Sequence, residues 1–150
     1  LLKDDPAYAA KAGRVSALTQ DIGEILSKEG LWKLYSDVKP GMKVAFHSPC
    51  TLQHGQKLNG IVEKILRATG LTLTTVPDAH LCCGSAGTYS LLQRRFARQL
   101  LTNKVAALES GSPNVIATAN IGCLAHLQSG TALPVRHWIE ILDTLLPAGS

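Results

Sequence analysis

Four cysteines, Cys50, Cys82, Cys83 and Cys123, are the residues of this sequence best suited to chemistry. Thiolate is the form of cysteine that binds metal, and several thiolates on one rim suit an Fe–S cluster or zinc. Histidines crowd the same places. His47 stands three residues before Cys50 and His54 four after it; His80 stands two before Cys82, and His126 three after Cys123. On a helix the last pair share a face. Each imidazole can ligate zinc or hydrogen-bond a cluster sulfur, and His47 and His126 are the two expected near a site. His137 has no cysteine close in sequence and reads as an ordinary polar residue. Taken singly, each cysteine reads more readily as a small buried hydrophobe than as a ligand. A disulfide is the other bland alternative, but Cys82 and Cys83 are adjacent, and a longer bridge needs an oxidising compartment.

The elements around these residues decide between the readings. Val44-Ala45-Phe46-His47 is a short apolar run, expected to be a buried strand that stops at Pro49-Cys50. A helix is expected around 54–69, with Leu58, Ile61, Val62, Ile65 and Leu66 on one face and Gly70 closing it. A second strand is expected over 71–76, stopping at Pro77. The loop His80-Leu81-Cys82-Cys83-Gly84 follows. A long helix from Thr88 to Glu109 is expected to bury Leu92, Phe96, Leu101, Val105 and Leu108. A third strand, 115–119, stops before Asn120-Ile121-Gly122-Cys123 and a short helix to Gln128. Pro134-Val135-Arg136 reads as a fourth strand and His137–Leu146 as a closing helix. Ahead of all this, residues 1–30 read as one helix with Val15, Leu18, Ile22, Ile25 and Leu26 recurring on one side, and Trp32, Leu34 and Tyr35 lead to a turn at Pro40-Gly41.

Strands that alternate with helices argue for a small α/β domain of three layers, Rossmann-like, with a parallel sheet of about four strands. Residues 1–42 form a helical connector or extension, and 43–150 the α/β domain. In a parallel sheet the strand C-termini share one edge, where ligands bind. The cysteines follow the first, second and third strands, so all four thiols are expected at that edge. Helix N-termini there favour thiolates. Gly84 and Gly87 leave room for backbone to approach a cluster or a sulfur.

The bulk properties agree with one globular domain. The chain has 150 residues, 45% apolar and 17% charged, which argues against a disordered chain. Four cysteines are too few for a disulfide scaffold, and no apolar run approaches a membrane span. The net charge is +4 and only 5% of residues are aromatic. The basic residues are scattered apart from Arg94, Arg95 and Arg98, which is not the footprint of a nucleic-acid binder. The first residue is Leu1, and a piece of a longer protein is expected.

Cys82-Cys83-Gly84, with Pro49-Cys50 upstream and Cys123 downstream, resembles the cysteine-rich CCG domain, over about residues 43–146. That domain occurs in heterodisulfide reductases and in iron–sulfur subunits of glycolate and lactate oxidation systems. The wording HSPCTLQHGQ, LCCGSAGTYS and TANIGCLAHLQSG looks most like the C-terminal part of the glycolate oxidase type. The resemblance implies metal ligation by Cys50, Cys82, Cys83 and Cys123, with His47, His126, Asn120 and Gly84 around them or as alternative ligands. The family pattern ends in Cys-x-x-Cys; here Asn120 replaces the first cysteine, so the five-cysteine set is broken.

The resemblance further implies an Fe–S cluster of the 4Fe–4S type, a ferredoxin-like region elsewhere in the full chain, and partner subunits that carry flavin (FAD). Electrons would pass from glycolate oxidation at that flavin through this subunit to a membrane quinone. It implies a cytoplasmic protein, with peripheral association at the inner face of the cytoplasmic membrane as a further expectation. No residue here looks like the base or flavin site for that oxidation, so no catalytic residue is assigned. Two other readings stay open: a structural zinc domain without redox role, and a thiol–disulfide module like the heterodisulfide reductases, weakened by the lack of Cys-x-x-Cys at a helix start.

Overall fold

The computed structural model of the chain describes residues 2–31, 33 and 41–146. Four strands, β1 (Lys43–His47), β2 (Thr72–Leu73), β3 (Val115–Thr118) and β4 (Val135–His137), form one parallel sheet in the order β2-β1-β3-β4. Seven α-helices are present among the described residues: α1 (Ala9–Leu18), α2 (Ile22–Glu29), α3 (Ile61–Ala68), α4 (Tyr89–Leu92), α5 (Arg94–Glu109), α6 (Ile121–Gln128) and α7 (Trp138–Asp143).

The central strands are short apolar runs because both of their faces are covered. Val44, Phe46, Val115 and Ala117 pack with Val62, Ile65 and Leu66 of α3 and with Trp138, Ile141 and Leu142 of α7. Ala45 and Ile116 point the other way, into Leu101, Val105 and Leu108 of α5 and Leu127 of α6. The result is the expected three-layer, Rossmann-like α/β arrangement. The two-residue period of a strand also sends His47 and Thr118, opposite each other in the β1–β3 register, to the α5–α6 face. Cys83 and Cys123 belong to the cluster on that face.

Several elements differ from the sequence expectation. The helix expected over 1–30 is two helices, broken at Thr19–Asp21. Asp21 Oδ1 accepts from the Gly23 N–H at 2.8 Å and Glu24 Oε2 from the Asp21 N–H at 2.8 Å, a capping box that starts α2 afresh. Its apolar stripe does not dock as a whole: Leu18 is 72% exposed, while Leu26 packs on the core. Trp32, Leu34, Tyr35 and Pro40 lie outside the described residues.

The helix expected over 54–69 is a π-helical turn, Thr51–Gly55, followed by a bend and then α3. Asn59-Gly60 forms the break, with Gly60 in the left-handed region at φ +76°. The second strand is shorter than expected: β2 pairs at the sheet edge only through Thr72 and Leu73, with the Thr74 N–H still donating to Val44 O at 2.9 Å. The helix expected over Thr88–Glu109 is interrupted at Gln93, whose ψ of +50° is not helical. Leu92 and Phe96, expected inside, are exposed; Ala97, Leu101, Lys104, Val105 and Leu108 form the buried face of α5 instead. The closing helix is shorter than expected, since His137 ends β4 and caps α7.

Candidate metal centre

The sheet order reverses between β1 and β3. The chain leaves β1 to one side for β2 and returns on the other side for β3, which opens a crevice at the strand C-termini. β1 runs through Ser48 and Pro49 into Cys50; β3 runs through Ala119 into Asn120 and α6. All four cysteines line one cavity of about 370 Å³ there, together with Thr51, Ser85 and Asn120. Residues separated by as much as 73 positions are thus brought together by chain topology alone. Cys83 and Cys123 are buried, Cys50 and Cys82 half-buried, and all four are free thiols.

His47 joins them from the end of β1. It is 2% exposed, and neither ring nitrogen has a hydrogen-bond partner. Native interiors rarely leave such groups unpaired, because the desolvated nitrogen costs about 1–3 kcal/mol. One ligand atom each from His47, Cys83 and Cys123 lie within 4.8 Å of one another. This donor set fits a soft metal ion or a cluster: thiolates for the metal, and an imidazole whose nitrogens lack any partner in the protein.

The loop and helix that carry the thiols are held by specific backbone contacts. Gly84 sits at φ +93°, and its N–H donates to Cys82 Sγ at 3.3 Å. A Cβ at this position would meet Ala97 O at 2.7 Å, so the room Gly84 provides is taken by α5 rather than by a bound cluster. Asn120 caps α6, its Oδ1 accepting from the Cys123 N–H at 3.1 Å. Asn120 therefore orients the turn that bears Cys123 while lining the cavity. Asn120→Ala is expected to destabilise the fold by about 1 kcal/mol, and Asn120→Asp by much less, in urea denaturation of the metal-free protein. An alanine variant as stable as the native chain would remove the capping role.

His126, expected beside Cys123, lines a different cavity with Ser90, Arg94 and Arg98. Three residues along α6 turn it away from the thiols. His54 and His80 are exposed and do not line the thiol cavity. His137 caps α7, its Nδ1 accepting from the Ile139 N–H at 3.4 Å. The sequence reading missed Ser85 and Thr51 on the cavity wall and Thr118 beside His47. It also missed Lys104, although a lysine between Leu101 and Leu108 on the apolar stripe of a helix was a visible signal.

The thiols divide their protons unequally. The neighbouring Cys123 thiol, and after it the His47 imidazole, hold the Cys83 thiol at about 4, against burial, which pushes it up. Cys123 moves the opposite way, raised by the Cys83 thiolate beside it and by burial. Burial and the nearby Cys82 raise Cys50. The centre therefore holds a thiolate at Cys83 with a proton retained at Cys123.

The same asymmetry sets a pH dependence of stability in the reduced, metal-free chain. The Cys83 value lies below the 9.0 of an unperturbed thiol. Between those values the unfolded chain binds a proton that the folded chain does not. This contribution is therefore full above the unperturbed value, shrinks as pH falls, and is lost below the folded value. The urea midpoint is expected to be higher at pH 8 than at pH 6. A midpoint that stays flat or rises toward pH 6 contradicts the assignment.

Comparison with known proteins agrees with this geometry. The family model for the "Cysteine-rich domain" CCG matches residues 44–128, a span that holds all but the first residue of β1, all of β3 and all four cysteines. The chain is 58% identical over 97% of its length to the glycolate oxidase iron-sulfur subunit of Escherichia coli (strain K12). It is 30% identical over 96% of its length to lactate utilization protein A of Bacillus licheniformis. The probable glycolate oxidase iron-sulfur subunit of Bacillus subtilis (strain 168) is 26% identical over 87% of the chain. The chain spans 35%, 63% and 30% of the lengths of these relatives, respectively. With four thiols gathered at the switch point of a parallel sheet, inside the matched span, the chain belongs to the CCG cysteine-rich domain family.

Proposed function

We propose that this chain is the metal-binding domain of an iron–sulfur subunit in a glycolate oxidase complex. The carrying observation is the convergence of Cys50, Cys82, Cys83 and Cys123 on one cavity, with a buried, unpartnered His47 beside them. The four cysteines would hold a 4Fe–4S cluster, which supplies one-electron transfer when bound. The chain's own residues do the rest. Asn120 and Gly84 fix the backbone of the thiol-bearing turns, and His47 offers a donor or a ligand from the buried side. The surrounding apolar cluster, with Ala45, Ile116 and Leu127, keeps water from that side.

On this reading electrons come from a flavin (FAD) in a partner subunit and leave toward a membrane quinone at the cytoplasmic face. The ferredoxin-like region of the full chain is an intermediate station. The names of the E. coli and B. licheniformis relatives support a place in glycolate or lactate oxidation. Exposed Leu81 and Ile121, next in sequence to cavity residues, and exposed Leu91, Leu92 and Phe96 support docking against partner subunits.

A zinc site is the second reading. His47, Cys83 and Cys123 already present three ligand atoms close together, and a third cysteine, Cys50 or Cys82, supplies the fourth ligand of a tetrahedron. Purification without oxygen, followed by iron, zinc and sulfide analysis and a visible spectrum, separates the two. Iron with sulfide and a broad visible band supports the cluster. One zinc per site without colour replaces it with the structural reading. No metal at this site, with Cys50, Cys82, Cys83 and Cys123 all titratable as free thiols, removes both and leaves a thiol–disulfide role.

A further inference from the structure

Lys104 is an unusual residue in this fold. It lies on the sheet-facing side of α5 and is 3% exposed. Among the described residues it is the only buried lysine or arginine. Lysine is almost never fully buried unless something pairs with it. Its Nζ donates to Asp78 O at 2.8 Å and to Ala79 O at 3.3 Å. These carbonyls belong to the turn that leads into Cys82-Cys83, where Asp78 is held at φ +49°. Lys104 also lines, with Leu81 and Cys82, a cavity of about 230 Å³ behind that turn.

Two carbonyls satisfy the ammonium's donors only in part, and they do not neutralise its charge. Cys82 lines the same cavity as Lys104. Burial pulls the Lys104 ammonium below the ordinary lysine range, and the Cys83 thiolate, then Asp78, Cys82 and Cys50, pull it back up. The need runs both ways. Four thiolates outweigh the charge of a divalent ion, so a loaded centre is net negative in a part-buried cavity, where an uncompensated charge is costly.

We propose that Lys104 is a positioning residue of the metal centre, pinning the Asp78–Ala79 turn that presents Cys82 and Cys83 and supplying the buried positive charge that offsets the thiolates. This rests on reading the thiols as a metal centre. Lys104 touches no reacting group; it acts through the loop and through its field.

Three variants of the full chain test it: Lys104→Met, Lys104→Gln and Lys104→Arg. Each is reduced, stripped of metal and titrated with Co²⁺ without oxygen, with the thiolate-to-metal absorption as readout. Hydrogen exchange of residues 78–84 is followed in the metal-free state. Lys104→Met and Lys104→Gln are expected to bind Co²⁺ about 10–100-fold more weakly, the usual loss for a residue supporting metal ligands. Lys104→Arg keeps the charge, has the adjoining cavity to extend into, and is expected to restore most of the affinity. Exchange at 78–84 is expected to quicken in Lys104→Met. Native affinity in both neutral variants overturns the proposal, and so does an arginine variant as weak as methionine. If Lys104→Met does not fold, the comparison of glutamine with arginine decides. If the native chain itself takes up no Co²⁺, the metal-centre reading fails, and exchange alone decides the pin: faster exchange in the methionine or glutamine variant supports it, unchanged exchange removes it.

Discussion

Cys83→Ser is expected to empty the centre. Cys83 is fully buried, carries the thiolate, and lies within ligand distance of both Cys123 and His47. Serine is nearly isosteric, so the backbone keeps its path, but its hydroxyl does not ionise near neutral pH and is a poor ligand for a soft metal. Residues that only support ligands cost about 10–100-fold in metal affinity when changed, so loss of a central ligand is expected to exceed about 100-fold. Metal and sulfide per chain after anaerobic purification are the measurement, with far-UV circular dichroism to confirm the fold. His126→Ala is the matched control. It sits three residues from Cys123 but lines another cavity, and loading is expected to persist. Full loading of the Cys83 variant, or loss of loading in the His126 variant, would redraw the ligand set.

Gly84→Ala is expected to be the most damaging single-methyl change in the site. Two costs add. A left-handed φ, here +93°, costs a residue with a Cβ about 1–2 kcal/mol. The new methyl would also stand 2.7 Å from Ala97 O and 3.0 Å from Leu100 Cβ, so the loop and α5 must separate. Overpacking of that kind costs about 1–3 kcal/mol. A combined loss of about 2–5 kcal/mol is expected in urea denaturation, a large part of the ~5–15 kcal/mol that holds a domain together. Gly87→Ala carries the first cost alone, so the difference between the two variants isolates the second. Gly87 has φ +58° and open space where its Cβ would stand, so it is expected to lose only the backbone part. Equal losses in the two variants would show that the approach of α5 to the loop carries no energy. Displacing the loop also moves Cys82 and Cys83, so metal loading is expected to fall in the Gly84 variant.

Much of this site is legible in the amino-acid order because parallel sheets impose direction. Short apolar runs at 44–47 and 115–118, with helices between, leave few topologies, and each puts Cys50 and Cys123 on the same edge. His47 is legible for the same reason, since it ends β1. His126 is not. Its spacing from Cys123 places both on one side of α6, but helix residues three apart are offset by about 60° of rotation, and that offset puts His126 into another cavity. The helical stripes mislead in the same way. Leu92 and Phe96 continue the apolar spacing of the α5 stripe, but the helix breaks at Gln93 and both side chains stay exposed. Lys104 escapes a reading by residue type because lysine is ordinarily a surface charge.

The amino-acid order by itself determined the strand–helix alternation, the parallel sheet and the shared edge on which the four cysteines stand. These follow from local apolar runs and from the handedness and direction of βαβ connections, which distant residues do not alter. The tertiary structure alone decided which groups face the cavity. Strand parity turned His47 inward, α6 turned His126 away, α5 claimed the space beside Gly84, and a carbonyl turn captured Lys104. Each depends on how an element is rotated and where its neighbour ends, and those are set by packing between residues far apart in the chain.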